Sequence, residues 1–526
     1  MRAAPRGAVS RRAAAIVLLS IAVLLAGCTV GPSDRPPVAV RGENMPAPPT
    51  AVPQLPPSID ELPEPEELAT TIPFYDCTED LTPVIIPPPA PGLRIECGDL
   101  SVPADPDAPQ AGSVLLEVLR VGSADATPNL PPLLVVGDSA GEPTARAAIT
   151  MAGKVSPELL GRYSLIGIDR RGAGEDFLDC ARPSTRSALV DATNSGEAAL
   201  TALLEQARLV VQDCQLNLDA GIGAYRTATT SSDIELLRQE LGVDRLAAVG
   251  VGDGAAALTG WARAQPMHVG RLVLDSPPAP DADEPELSEG RAKSAEAAFD
   301  AFAVACKARP DCPLLPEPRA AVTSLLDGLR TRPILAADGT RLTAGATIAA
   351  LLTGLRDPDQ WPVTAGALAA AVEGDPEPLL GMLVLALGPR GTFDMTLATS
   401  CNDTRKRLAP GEIGGLAQQW KGTYPLFGET MAMHMLACAP WPTGGPAPVR
   451  NSAAGAPPIL VLGTAADPRG PAEGARRTAE SLASTQLLTW QGAGTGAYPR
   501  TPCVQRVVDA MLVNGVLPTT ATLCPP

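Results

Sequence analysis

Leu246–Leu258 reads LAAVGVGDGAAAL. Its first half is an apolar run of strand length, and its second half is alanine-rich and helical in character. Glycines at 250, 252 and 254 lie between them, the pattern of a tight strand-to-helix turn where side chains have little room. The flanking sequence repeats the alternation. SVLLEVLRV, PPLLVVG and YSLIGIDRRG read as strands ahead of it. TTSSDIELLRQELG reads as an amphipathic helix with Ser or Thr near its start and Gly242 at its end. VGRLVLDSP follows as another strand. Such alternation predicts an α/β fold, a mostly parallel sheet with helices on both faces.

The strand signal fades from residue 277 to 454. ELSEGRAKSAEAAFDAFAVACKA, RAAVTSLLDGLR and WPVTAGALAAAVEGD are helical patterns, so a helical lid is expected over 277–454. Strand and helix return with PPILVLGTAADP, GPAEGARRTAESLA, TQLLTWQG and CVQRVVDAMLVNG. Residues 74–276 and 455–526 are therefore expected to build one sheet with the lid inserted between them, without internal repeats.

The N-terminus reads as a targeting segment. Arg2, Arg6, Arg11 and Arg12 precede an apolar run, Ala13–Leu25, that is short for a membrane span. LAGC, Leu25–Cys28, resembles a bacterial lipobox, which implies a leader over 1–27, cleavage before Cys28 and a lipid (a palmitate-type acyl group) on that cysteine. A proline-rich tether is expected over 28–73. The chain is then extracytoplasmic and held to the cell membrane by its lipid. Without the leader arginines, 37 basic residues face 58 acidic ones, a net charge near −21. That balance, with no basic patch, argues against a nucleic-acid partner.

Ten cysteines remain after Cys28. Local pairing would join Cys77 to Cys97, Cys180 to Cys214, Cys306 to Cys312, Cys401 to Cys438 and Cys503 to Cys524, as an exported chain allows. Ten cysteines also permit many other pairings. No spacing resembles a zinc site, and GVGDGA lacks the context of a dinucleotide-binding turn, so no metal or cofactor is expected.

From about Pro73 onward the chain resembles the tripeptidyl aminopeptidase-like branch of the α/β-hydrolases, secreted serine hydrolases with a helical lid. The resemblance rests on IDRRGAGEDFLDC, YRTATTSSDIELLRQELG, AVGVGDG, VGRLVLD, CKARPDCPL, WPVTAGALAAAVEGD, SCNDT, ILVLGTAADPRGPAEGARR and GAGTGAYPRTPCV in that order. It implies acyl transfer by a Ser–Asp–His triad in that chain order, with the serine in a G-x-S-x-G elbow. The acid maps to Asp467. The nucleophile maps to Gly252, and the histidine maps to Thr495. The glycine-rich oxyanion loop maps to GDSAGEP, Gly137–Pro143. Glycine offers no nucleophile, and threonine is no base near neutral pH. Losing either member of such a triad costs about a millionfold in turnover.

Relocated chemistry has few routes. GDSAG is itself a formal G-x-S-x-G, which makes Ser139 the alternative nucleophile, although it lies two strands too early and needs a histidine. After the leader the histidines are His268, in a turn entering a strand, and His434, in the lid. Asp253 as nucleophile would need the elbow shifted by one residue, which places Val251 and Ala255 where small residues belong. Ser231 and Ser232 read as helix-start residues. The sequence thus leads to an exported pseudoenzyme whose cleft binds a peptide, a lipid or an envelope protein. The alternatives are an active hydrolase using Ser139, or a structural envelope lipoprotein with a filled cleft. The oligomeric state is left open.

Overall fold

The computed structural model describes residues 62–526 apart from 83–84, 86–87, 128, 141–142, 175–176, 389–390 and 446–450. The expected leader, Cys28 and the tether up to residue 61 lie outside the described residues. The last part of that tether segment is docked onto the core. Leu68 and Ile72 are buried, and the N–H groups of Ala69 and Thr71 donate to the carbonyls of Leu241 and Glu240. The apolar residues of ELATTIP supply the anchor that proline content alone did not suggest.

Strands β4 (Pro132–Val136), β5 (Ser164–Ile168) and β7 (Val269–Asp275) are buried at every residue. Runs of this kind belong to parallel sheets covered on both faces. They sit centrally in one sheet with β1 (Tyr75–Asp76), β2 (Leu93–Pro103), β3 (Ser113–Ser123), β6 (Leu246–Val251), β10 (Ile459–Ala466), β11 (Thr485–Ala493) and β12 (Thr522–Cys524). Among the described residues the order is β1-β2-β3-β5-β4-β6-β7-β10-β11-β12. The pairings β1/β2, β2/β3 and β3/β5 are antiparallel, and the others are parallel.

Alternation along each strand sends neighbours to opposite faces. Leu133 and Val135 of β4 join one apolar cluster with Val504, Val508 and Met511 of the helix Pro502–Asn514. Leu134 and Val136 join another, with Ile234 of the helix Thr227–Glu240 and Leu258 and Trp261 of the helix Asp253–Ala264. The fold is thus the expected α/β sheet covered on both faces. Strand β2 was not anticipated. Its LRIECGDLSVP departs from strict alternation at Cys97–Gly98, where a side chain on Gly98 would meet Ile72 and Phe74.

Between β7 and β10 the chain is mostly helical, from Glu284–Lys307 to Gly428–His434, with one short hairpin of β8 (Ile334–Leu335) and β9 (Arg341–Leu342). The lid has an apolar cluster of its own around Phe299, Phe302, Leu351 and Phe427, and it shares another, around Trp420, Met433 and Trp441, with Leu178, Leu203, Val210 and other residues that precede β6. All five local cysteine pairs are disulfide-bonded. Cys180–Cys214 and Cys401–Cys438 belong to the cluster around Trp420.

Strand order reverses between β4 and β6, and ligands of open α/β sheets bind at the carboxyl ends of the strands at such a reversal. Val136 pairs in register with Gly250, and Val251 with Asp275. The loops leaving β4, β6, β7, β10 and β11 therefore emerge at one edge, beneath the lid.

Candidate active site

Gly252 is the single residue between β6 and the helix Asp253–Ala264, with φ 60° and ψ −123°. That conformation strains any residue with a Cβ and is open to glycine. Gly250 and Gly254 have a different task. A Cβ at 250 would lie 2.7 Å from Leu258 Cδ1, and one at 254 would lie 2.3 Å from the Val136 carbonyl oxygen. All three glycines are thus fixed by a sharp elbow pressed against β4.

The space above Gly252 is filled. A Cβ on this residue would stand 2.2 Å from Asp138 Oδ2 and 3.0 Å from Asp138 Cγ. Asp138, in the loop after β4, points its carboxylate into the place where an elbow side chain would project. The backbone N–H groups of Ala140 and Asp253 donate to that carboxylate. Arg469 Nε lies 3.0 Å from Asp138 Oδ1. Burial pushes the Asp138 carboxyl up, but Arg469, Arg356 and the two N–H groups outweigh it and hold the group below the usual carboxylate range. It is an anion seated on the N–H of the residue that follows the elbow, one of the two donors an oxyanion hole would use.

Asp253 returns the contact. Its Oδ1 accepts from the Ser139 N–H at 2.9 Å, its Oδ2 accepts from the Ser139 hydroxyl, and Arg170 Nη1 lies 2.8 Å from Oδ1. The β4 loop and the elbow are clamped by two crossed carboxylates. Ser139 is buried, and its hydroxyl donates to Asp253. That carboxylate is already paired with Arg170. Neither imidazole hydrogen-bonds to Ser139. His268 is at the start of β7 with Nδ1 2.9 Å from the Asp244 carbonyl oxygen. The length of β7, roughly 20 Å, separates it from the elbow level. His434 ends a lid helix, and burial lowers its pKa, so the ring is uncharged. Ser231 donates to the Ala257 carbonyl and Ser232 to the Ala228 carbonyl, both in structural roles.

The other half of the site is more conservative. Asp467 follows β10, is fully buried, and accepts from the N–H groups of Arg469, Gly470 and Gly496. Thr495, in the loop after β11, donates its hydroxyl to Asp467 Oδ1 at 3.1 Å. Burial outweighs those donors and raises the Asp467 pKa. Beside it, Asp275 at the end of β7 accepts from the N–H groups of Ala497 and Tyr498 and pins the loop that carries Thr495. Its pKa is pushed up to about 6, chiefly by burial.

Sequence reasoning located Gly252, Asp467 and Thr495 on their loops, and structure joins Asp467 to Thr495. It missed Asp138 and Arg469. The available signal was an aspartate in GDSAGEP where a glycine-rich loop was expected, followed much later by an arginine two residues after the acid in ADPRG.

The lid reaches this floor. Arg356 donates to the Ala140 carbonyl at 2.8 Å, and Thr396 Oγ1 donates to the Ser139 carbonyl at 3.2 Å. The Arg356 carbonyl in turn accepts from the Thr495 N–H. Three cavities open around the clamp. One of about 310 Å³ is lined by Asp138, Gly252, Asp253 and Arg469. Another of about 310 Å³ is lined by lid residues with Arg356 and Arg469. A third, of about 370 Å³, is lined by Asp138, Arg356 and Thr495. Among the described residues no group of three or more His, Cys, Asp or Glu side chains could hold a metal ion.

Residues 151–333 match a family model described as alpha/beta hydrolase fold, and residues 424–524 match one described as TAP-like protein. The chain is 25% identical over 457 residues to "Serine protease Hip1" of Mycobacterium tuberculosis, covering 81% of this chain and 87% of that protein. It is 27% identical over 466 residues to "Carboxylesterase B" of the same species, covering 82% and 86%. It is 23% identical over 481 residues to "Tripeptidyl aminopeptidase" of Streptomyces lividans, covering 86% and 87%. Among solved structures, the proline iminopeptidase of Mycobacterium smegmatis overlaps 79% of this chain and 98% of its own, with TM-score 0.36 and 16% identity.

Proposed function

We propose that the chain, whose residues 151–333 and 424–524 match models described as alpha/beta hydrolase fold and TAP-like protein, is a pseudoenzyme that binds a ligand in its cleft and does not turn it over. One observation carries this reading. The position of the attacking hydroxyl is taken by the Asp138 carboxylate, an anion already seated on the Asp253 N–H. A negative charge there repels the oxyanion that acyl transfer must form. The position of the base holds the Thr495 hydroxyl, which cannot accept a proton near neutral pH.

Binding is favoured over a purely structural role because the floor is filled while the space around it is not. Cavities of about 310 and 370 Å³ flank the clamp, within the size range of small-ligand sites. A peptide, a lipid or a segment of another envelope protein is the candidate class of occupant. The five disulfides suit export, and a lipid on Cys28 would hold the chain at the outer face of the cell membrane.

The test is turnover. Purified chain is incubated with p-nitrophenyl acetate and with a tripeptidyl p-nitroanilide. The expected rates equal those of buffer with an unrelated protein. Saturable turnover that disappears in Ser139→Ala would establish the relocated-serine alternative and overturn this reading.

A further inference from the structure

The cavity beneath the lid is walled mostly by hydrocarbon. Leu189, Leu352, Leu383, Leu387, Phe393 and Leu397 line it, around a volume of about 310 Å³. Its arginines are already engaged. Arg291 lies 3.4 Å from Glu284. Arg356 donates to the Ala140 carbonyl and acts on Asp138. Arg469 pairs with Asp138 and also faces Asp253 and Asp467. Each guanidinium on this wall thus has a carboxylate of its own protein to face, and none calls for an anionic ligand.

One buried nitrogen on the same wall is different. His434 ends the helix Gly428–His434, and both it and Val190 line the cavity. The Val190 carbonyl accepts a hydrogen bond from the ring, while Nε2 is buried without a hydrogen-bond partner. The donor to Val190 is therefore Nδ1. Burial lowers the pKa of the ring and keeps it uncharged, so Nε2 carries a lone pair. Arg469 Nε also lacks a hydrogen bond, but its ion pair with Asp138 accounts for it. A buried acceptor left unpaired is costly, and no group among the described residues satisfies this one.

We propose that this cavity binds a neutral single-chain lipid with a hydroxyl head, of the long-chain alcohol or monoacylglycerol kind, its O–H donating to His434 Nε2 and its hydrocarbon lying among the lid leucines. The inference rests on the reading of the cleft as a site of binding without turnover, and it names the occupant of the lid side. A hydroxyl supplies the donor that Nε2 lacks, whereas an ionised carboxylate offers only acceptors. A hydroxyl is also far cheaper than a charge to take out of water into an apolar wall. The volume lies at the lower end of ligand pockets and suits one chain rather than two.

The test uses the purified full chain and the uncharged fluorescent probe N-phenyl-1-naphthylamine, displaced by twelve-carbon ligands that differ in the head. Displacement should be saturable. 1-Dodecanol should act about fivefold more tightly than its isomer 1-methoxyundecane, which has no donor, the worth of one buried hydrogen bond. It should act at least tenfold more tightly than laurate. Shortening the alcohol should weaken displacement about fourfold per methylene. His434→Leu should bring the alcohol-over-ether preference below twofold while leaving the chain-length dependence. Should that variant fail to fold, a diazirine-bearing dodecanol on the wild-type chain should crosslink to peptides covering 384–400 or 428–438. Absence of saturable displacement, equal displacement by alcohol and ether, laurate as tight as dodecanol, a preference that survives in His434→Leu, or crosslinks elsewhere would each overturn the proposal. Turnover of p-nitrophenyl laurate in the same samples reads the inactivity separately: nitrophenol release would break that reading and leave the alcohol site standing.

Discussion

Thr495 and Gly252 are the two positions to which our proposal assigns base and nucleophile, and their surroundings differ. Around Thr495 the acid is held in a hydrogen-bond frame. Asp467 is buried, receives three backbone N–H groups, and still accepts a side-chain bond from position 495. Around Gly252 the space is occupied. Asp138 fills the space a side chain would need, Arg469 balances its charge, and Asp253 ties down the loop from the other side. On the proposed reading, the first half differs from a working triad by one side chain. The second half holds a network with no room for a side chain at 252. Reversal at the two positions should therefore be unequal.

The largest expected effect follows from that inequality. Gly252→Ser with Thr495→His restores both side-chain types but leaves Asp138 on the Asp253 N–H. Adding Asp138→Gly uncovers that donor. Hydrolysis of p-nitrophenyl acetate by the triple variant should exceed that of the double variant by about 10²–10³-fold, the usual worth of one oxyanion donor. Equal rates would mean that Asp138 does not obstruct the seat.

Gly252→Ala probes the same seat without chemistry. Positive φ and a Cβ 2.2 Å from Asp138 Oδ2 should together cost about 3 kcal/mol of stability, read from urea denaturation. In an Asp138→Gly background the cost should fall by about 1 kcal/mol, leaving the backbone strain. A cost below about 0.5 kcal/mol in either background would contradict a strained elbow.

Asp275 tests the Thr495 half through pH. Its folded pKa of about 6 exceeds the ordinary aspartate value because it is fully buried. A raised carboxyl contributes stability that is present below about pH 4 and is lost as pH rises through 6. Asp275→Asn keeps an acceptor for the Ala497 and Tyr498 N–H groups and removes the titration. Relative to the parent chain, its stability should improve by about 2–3 kcal/mol between pH 4 and pH 7. A pH-independent difference would place the ionisation elsewhere.

The smallest effect belongs to Thr495→Val. Asp467 keeps its three backbone donors, so losing the hydroxyl should cost about 1 kcal/mol. A cost near 4 kcal/mol would mean that Thr495 is a keystone rather than a substitute.

The sheet was readable because its central strands are unbroken apolar runs and its helices end on glycines such as Gly242 and Gly515, both at positive φ. The elbow was readable because Gly250 and Gly254 are forced by contact with Leu258 and β4. Strand β2 was missed since Gly98 breaks its period for packing reasons set by Ile72 and Phe74. The Asp138–Arg469 pair spans more than three hundred residues of chain. Only the folded sheet brings those loops together, so sequence periodicity carries no trace of the pairing. The same holds for Arg356, whose reach from the lid to the Ala140 carbonyl depends on how the lid docks.

The most direct measurement is labelling of the purified chain with a fluorophosphonate, read by intact mass and peptide mapping. With Asp138 seated above Gly252 and the Ser139 hydroxyl donating to Asp253 rather than to an imidazole, the mass should remain that of the unmodified chain. A stoichiometric adduct on Ser139 would contradict the account, because it would require an activated hydroxyl in a loop where the serine is now bound to Asp253.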